Sequence, residues 1–273
     1  MRFPTLTVCL SLASIASPAS SLAESGPLAY VAAPRTDRNS QLAHEQFIEE
    51  ARRGGIDVYF EGDSITRRWR ATDYPSFLAN WTKNFYGWNA ADFGWGGDCT
   101  ENILWRLENG ELDGVNPKVI VILAGTNNVG MAPANDAKVA EITRGIKAVV
   151  DTCRTKAPSA KIVLMAIFPR NDSLVTQAAI HRINENISSF ADGDTVRFLD
   201  INAGLADKDG VLFEGMTIDK LHPSLKGYQV WADGLKPILT ELLGPPASTD
   251  HAPPPTGDPS AMAAGDRKAA ESR

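Results

Sequence analysis

Five short apolar runs, at 56–60, 89–93, 118–123, 161–167 and 196–199, recur through the middle of the chain. Val119-Ile120-Val121-Ile122-Leu123 is apolar at every position. A strand there buries both faces, as strands do in a parallel sheet covered by helices. Between the runs the apolar period lengthens. Within 136–156, Val139, Ile142, Ile146, Val149, Val150 and Cys153 fall at helical spacing. Further helices are expected over about 174–190 and 225–243. Strands and helices alternating over such short connections predict a three-layer α/β/α sandwich with a mostly parallel sheet.

The two ends lack this alternation. Residues 1–23 hold Arg2, an apolar stretch from Leu6 to Ala16, and Ser21-Leu22-Ala23 as a small-x-small cleavage site before Glu24. They read as a secretory signal peptide, so a secreted or periplasmic product cleaved near Ala23 is expected. Residues 24–40 then form a lead-in and 41–244 the folded domain. Residues 245–273 are rich in Pro, Ala, Ser and Gly without apolar period, and are expected to be disordered.

Composition removes several function classes. At 43% hydrophobic and 22% charged residues, wholesale disorder is excluded. No apolar run approaches the ~20 residues of a membrane span. The net charge is −6 and no lysine–arginine block occurs, which tells against nucleic acid as a partner. Beyond the leader stand Cys99 and Cys153, expected on different helices as two buried free thiols rather than a disulfide. There is no Cys-x-x-Cys pair, and His44-Glu45-Gln46-Phe47 is followed by Ile48 where a zinc motif needs histidine. No metal or cofactor is expected.

Ligands of such sheets bind beyond the carboxyl ends of the strands. Three runs lead into loops with chemistry: Glu61-Gly62-Asp63-Ser64-Ile65, Phe93-Gly94-Trp95-Gly96-Gly97-Asp98, and Ala124-Gly125-Thr126-Asn127-Asn128. A fourth, Asp219-Lys220-Leu221-His222-Pro223, precedes the last helix. Together they suggest acyl transfer. A serine hydroxyl needs a base, and the base needs an acceptor to orient it. His251 lies in the tail, His44 in the lead-in and His181 within a helix, which leaves His222 beside Asp219. Gly97 N–H, the Asn127 amide and Ser64 N–H are candidate donors to an oxyanion. Each loop taken alone has a plainer reading as a turn, a helix cap or a surface ion pair. The combination at strand ends favours catalysis. A nucleotide loop is disfavoured because Cys99 stands at the last glycine position of Gly-x-Gly-x-x-Gly.

Gly62-Asp63-Ser64, Gly97, Asn127 and Asp219-x-x-His222 resemble the four blocks of the SGNH (GDSL) hydrolases. Phe93 to Asp98, Leu104-Trp105-Arg106-Leu107, Asn109-Gly110-Glu111-Leu112 and Asn116 to Val121 are similar to one branch, the catalytic subunits of platelet-activating-factor acetylhydrolase. The resemblance spans most of 57–243. It implies a flavodoxin-like five-stranded parallel sheet of order 2-1-3-4-5. It also implies Ser64 as nucleophile, His222 as base, Asp219 as its orienter, and Ser64, Gly97 and Asn127 around the oxyanion. Ile65, Thr126 and Leu221 adjoin these residues and are candidates for the acyl pocket, with core packing the alternative for Ile65 and Leu221. Trp95, inside the oxyanion loop, is a further substrate-binding candidate. The other aromatics between 80 and 95 are expected to pack in the core. With no long apolar lid insertion, short acyl groups are favoured. The expected function is a secreted serine esterase removing acetyl-type groups, with a carbohydrate O-acetyl ester as substrate. A lysophospholipase or thioesterase, and a non-catalytic glycan-binding module, are the alternatives.

Overall fold

The computed structural model describes Met1 and residues 26–260; the rest of the expected signal peptide lies outside the described residues. Five strands, β1 (Val58–Gly62), β2 (Ala90–Asp92), β3 (Val119–Leu123), β4 (Lys161–Met165) and β5 (Val196–Leu199), form one sheet in the order β2-β1-β3-β4-β5. Every pairing is parallel, with Phe60 opposite both Asp92 and Val121, and Leu164 opposite Phe198. Among the described residues eight α-helices surround it: α1 (Arg38–Arg53), α2 (Ser64–Arg70), α3 (Pro75–Phe85), α4 (Thr100–Arg106), α5 (Thr126–Val129), α6 (Asp136–Lys156), α7 (Gln177–Ser188) and α8 (Leu225–Leu243). Among the described residues no helix is long and apolar enough to cross a membrane.

The alternation of strand side chains divides the core in two. Tyr59, Ile120, Ile122, Ile162 and Leu164 face α1, α4, α6 and α7. Val58, Phe60, Val121, Val163 and Met165 face α2, α3 and α8, whose Trp69, Trp81, Phe85, Tyr228 and Trp231 fill that layer. Local chemistry sets the helix starts. Asp37, Asn135 and Ser224 accept backbone N–H groups as N-caps of α1, α6 and α8. Pro75 opens α3 at the turn where its missing N–H costs nothing.

Several boundaries differ from the sequence expectation. The first strand runs on through Glu61 and Gly62, because the ladder to Ile122 and Leu123 continues and Arg106 neutralises Glu61. The helix expected over 174–190 begins with a 3₁₀ turn, Leu174–Thr176, before α7. The lead-in belongs to the fold: Ala29 is buried, Ala33 N–H donates to Glu101 O, and His44 lies within α1.

The tail is the larger correction. Residues 245–260 do not run free but lie along the domain as a strap, while 261–273 lie outside the described residues. Ala247 N–H donates to Gly87 O, His251 N–H to Asn89 Oδ1, and Thr72 N–H to Thr256 O. Asp250 accepts Gly87 N–H, and Arg70 donates to Pro253 O from its pair with Glu50. The segment lacks apolar period because backbone and side-chain groups of the domain, rather than a ladder of its own, satisfy its backbone.

Candidate active site

The carboxyl ends of β1, β2 and β3 deliver three of the marked loops to one edge of the sheet. Gly62 ends β1 in a space that excludes any larger residue, since a Cβ would sit 2.6 Å from Leu123 O. Asp63 then caps α2, its Oδ1 accepting Ile65 N–H at 2.9 Å. Ser64 is the first residue of that helix, so its N–H has no intrahelical acceptor.

Across the edge, Asp219 folds the chain back on itself. Its Oδ1 accepts the N–H groups of Leu221 at 3.1 Å and His222 at 2.8 Å. Its Oδ2 accepts from His222 Nδ1 at 2.7 Å. A carboxylate there fixes the proton on Nδ1 and leaves the Nε2 lone pair free. Nε2 lies 2.9 Å from Ser64 Oγ, across 158 residues of sequence, so the hydroxyl donates to it. Arg68, one turn beyond Ser64 on α2, places Nη1 3.5 Å from Asp219 Oδ2.

The electrostatics suit a neutral imidazole. Burial, helped by the Arg68 charge, pushes the His222 proton affinity below its ordinary value, against the pull of Asp219. Burial alone would raise Asp219. The backbone N–H and imidazole of His222 outweigh it and hold the carboxyl below the usual range. Asp63 is different: burial pushes its carboxyl up to about 7, and its Oδ2 has no hydrogen-bond partner among the described residues.

Gly97 and Asn127 form the facing wall. Gly97 adopts φ +78°, which only glycine takes readily, and its N–H meets no acceptor among the described residues. Asn127 Nδ2 donates to Asp98 O at 2.8 Å, which leaves its second proton free. Behind this wall lies a charge cluster that the sequence did not reveal. Buried Arg106 pairs with Glu61 at 2.8 Å, with Asp98 at 2.7 Å and with Glu111, and donates to Phe93 O. Burial lifts Glu61 to about 8 and Asp98 to about 6, with Arg106 opposing both. An acid inside the apolar run of β1 was the available signal for this cluster.

The expected substrate-binding residues fare unevenly. Ile65 is 2% exposed and packs in the α8-side core, and Trp95 is 6% exposed and turned toward α1, donating Nε1–H to Ser40 Oγ. Thr126 is buried, with its carbonyl and hydroxyl taken by Arg170, and Leu221 is half-buried beside His222. Cys153 is a buried free thiol, but Cys99 is half-buried, because it caps α4 at the loop rather than facing the core.

A parallel five-stranded α/β/α fold with these loops at one edge defines an ester hydrolase of the GDSL type. The sequence profile of the GDSL-like lipase/acylhydrolase family matches residues 60–230, and the chain belongs to that family. Among its relatives, the alpha1 subunit of platelet-activating factor acetylhydrolase IB from Bos taurus is 31% identical over 79% of this chain and 89% of its own. The Homo sapiens alpha1 subunit is 32% identical over 73% and 82%. In fold, the chain is similar to a GDSL-like lipase from Bacteroides thetaiotaomicron (TM-score 0.59, 19% identity, 73% of this chain and 98% of that one). A carbohydrate esterase family 3 protein from Talaromyces cellulolyticus also shares the fold (TM-score 0.50, 21% identity, 68% and 97%).

Proposed function

We propose that the chain is a serine esterase acting on short-chain, acetyl-type esters through Ser64, His222 and Asp219. The observation that carries this reading is the continuous contact from Ser64 Oγ to His222 Nε2 at 2.9 Å and from His222 Nδ1 to Asp219 Oδ2 at 2.7 Å. In the first step Ser64 Oγ bonds to the acyl carbon as its proton passes to Nε2. The tetrahedral oxyanion is received by the N–H groups of Ser64 and Gly97 and the free Asn127 proton. The imidazolium returns the proton to the alkoxy oxygen, the ester C–O bond breaks, and the alcohol leaves. Water then repeats the sequence on the acyl-enzyme and releases the acid.

Acetyl preference is supported by the acetylhydrolase relatives. Carbohydrate O-acetyl esters are the substrate class proposed, in keeping with the signal-peptide pattern and with secretion after cleavage near Ala23. A second reading, longer acyl or lipid esters, is favoured by one observation. Met131, Leu174, Val175, Val211, Phe213 and Ile218 are exposed on the loops that follow β3, β4 and β5.

Hydrolysis of p-nitrophenyl esters from two to twelve carbons, by wild type and Ser64→Ala, tests the assignment. Ser64-dependent turnover peaking at acetate is the expected result. A peak at long chains moves the substrate to lipids. Equal turnover in both proteins removes Ser64 as nucleophile, and glycan binding without turnover points to a binding module.

A further inference from the structure

The loop after β4 carries no residue that the sequence marked, yet it joins the two halves of the candidate site. Arg170 is buried and its guanidinium is committed to fixed acceptors. Nη1 donates to Thr126 O at 3.0 Å and Oγ1 at 3.3 Å, while Nε and Nη2 grip Asp172 at 2.7 and 2.6 Å. Thr126 immediately precedes Asn127. The next residue, Asn171, reaches the opposite way. Its backbone N–H donates to Lys220 O at 2.7 Å, its Nδ2 donates to Gly210 O at 2.8 Å, and its Oδ1 accepts Leu212 N–H at 2.7 Å.

Lys220 stands between Asp219 and His222 with φ +70°. A non-glycine residue in that region is strained and persists only where its surroundings fix it. Here they do. Asp219 Oδ1 holds the N–H groups of Leu221 and His222, and Asn171 holds the Lys220 carbonyl from the far side. Two consecutive residues, joined by one planar peptide unit, therefore anchor the Asn127 turn and the His222 turn to each other.

We propose that Arg170 and Asn171 are positioning residues that set the spacing between the Asn127 amide and the His222 imidazole. The inference rests on the reading of Ser64, His222 and Asp219 as catalytic. Neither residue is assigned contact with the reacting atoms. Arg170 acts through the Thr126 carbonyl, and Asn171 through its own N–H on the Lys220 carbonyl, a bond its side chain steadies by holding Gly210 O and Leu212 N–H. Such placement matters because a displacement of about 1 Å can cost 10²-fold in rate.

The test is steady-state hydrolysis of p-nitrophenyl acetate by the full chain carrying Asn171→Ala, Asn171→Asp or Arg170→Lys, with Tm measured for each. Turnover per folded molecule is expected to fall about ten- to hundredfold, with KM little changed. Asn171→Asp keeps the acceptor for Leu212 N–H but sets a carboxylate oxygen against Gly210 O, acceptor to acceptor, so it should lose at least as much as Asn171→Ala. The acid limb of the pH–rate profile should move up toward the ordinary histidine value. A loosened turn admits water to His222, whose proton affinity is lowered first by burial, and which Asp219, Arg68 and Asp172 also face. The Asn171→Ala effect should shrink in an Asn127→Ala background, because the aligned partner is then missing. A lower Tm with kcat, acid limb and additivity unchanged would reduce the pair to a fold clamp and overturn the proposal. Wild-type hydrolysis that survives Ser64→Ala brings down the catalytic reading itself, and this inference with it.

Discussion

The side-chain amide of Asn127 donates to the backbone carbonyl of Asp98 at 2.8 Å, which ties the loop after β3 to the loop after β2. One amide proton fixes the geometry and the other stays free for a ligand. Asn127→Ala removes both, and turnover of p-nitrophenyl acetate is expected to drop about 10²–10³-fold, the usual cost of a lost oxyanion donor. Full turnover in that variant would exclude the role.

In the proposed mechanism His222 must be neutral to take the Ser64 proton. Burial lowers its proton affinity, so kcat/KM should rise with pH through a midpoint below the ordinary histidine value of ~6.5 and then level off. A pH–rate profile from 4 to 9 reads this midpoint. Arg68→Gln removes a cation that also lowers His222, so its midpoint should move upward.

Arg106 has three carboxylates around it, each fully buried. Arg106→Met leaves those acids without their cation, and a loss of about 3–5 kcal/mol in unfolding free energy is expected. Urea denaturation measures it. Glu61, already lifted to about 8 beside Arg106, would then bind its proton more tightly still.

Stability should fall as pH rises through neutrality. Asp63 and Asp92 are each raised to about 7 by burial, so the folded chain holds protons that the unfolded chain has released above about 4. Their contribution is complete below that value and is lost as pH climbs to about 7. His222, lowered on folding, contributes in the opposite sense, and two carboxyls outweigh it. Tm is expected to decline between pH 5 and 8, and Asp63→Asn should flatten the decline.

Deleting residues 245–273 removes the hydrogen bonds to Gly87, Asn89, Arg70 and Thr72. At about 1 kcal/mol for each, Tm should fall by at least about 5 °C. An unchanged Tm would mean that the strap contributes nothing to stability.

Much of this architecture is legible in the chain itself. The apolar runs mark the strands because a buried parallel sheet tolerates little else, and β3 shows this without a polar residue. Ser64, Gly97, Asn127, Asp219 and His222 stand out because each sits in a short local motif, and the structure brings all five to one edge. The ion cluster around Arg106 is harder to read. Arg106, Asp98 and Glu111 stand in the motifs that resemble the acetylhydrolase branch, but their partner Glu61 comes from a separate segment, and no local spacing records that the four meet. Trp95 misled because position in a loop does not tell which way a ring turns; α1, more than forty residues upstream, decides that. The strap misled because its composition lacks apolar period, while its order comes from acceptors and donors that the domain provides.

The strap has one more consequence. β2 is three residues long and lies at the end of the sheet with β1 as its single neighbour. An exposed edge of this kind is a template on which a second chain can add a strand. Residues 251–257 pass beside it, from His251 at Asn89 to Thr256 and Gly257 near Asp92 and Gly94. The bonds from Ala247 N–H to Gly87 O and from His251 N–H to Asn89 Oδ1 fall just before β2, so the strap fastens the entry of an edge strand that has only one neighbour to hold it.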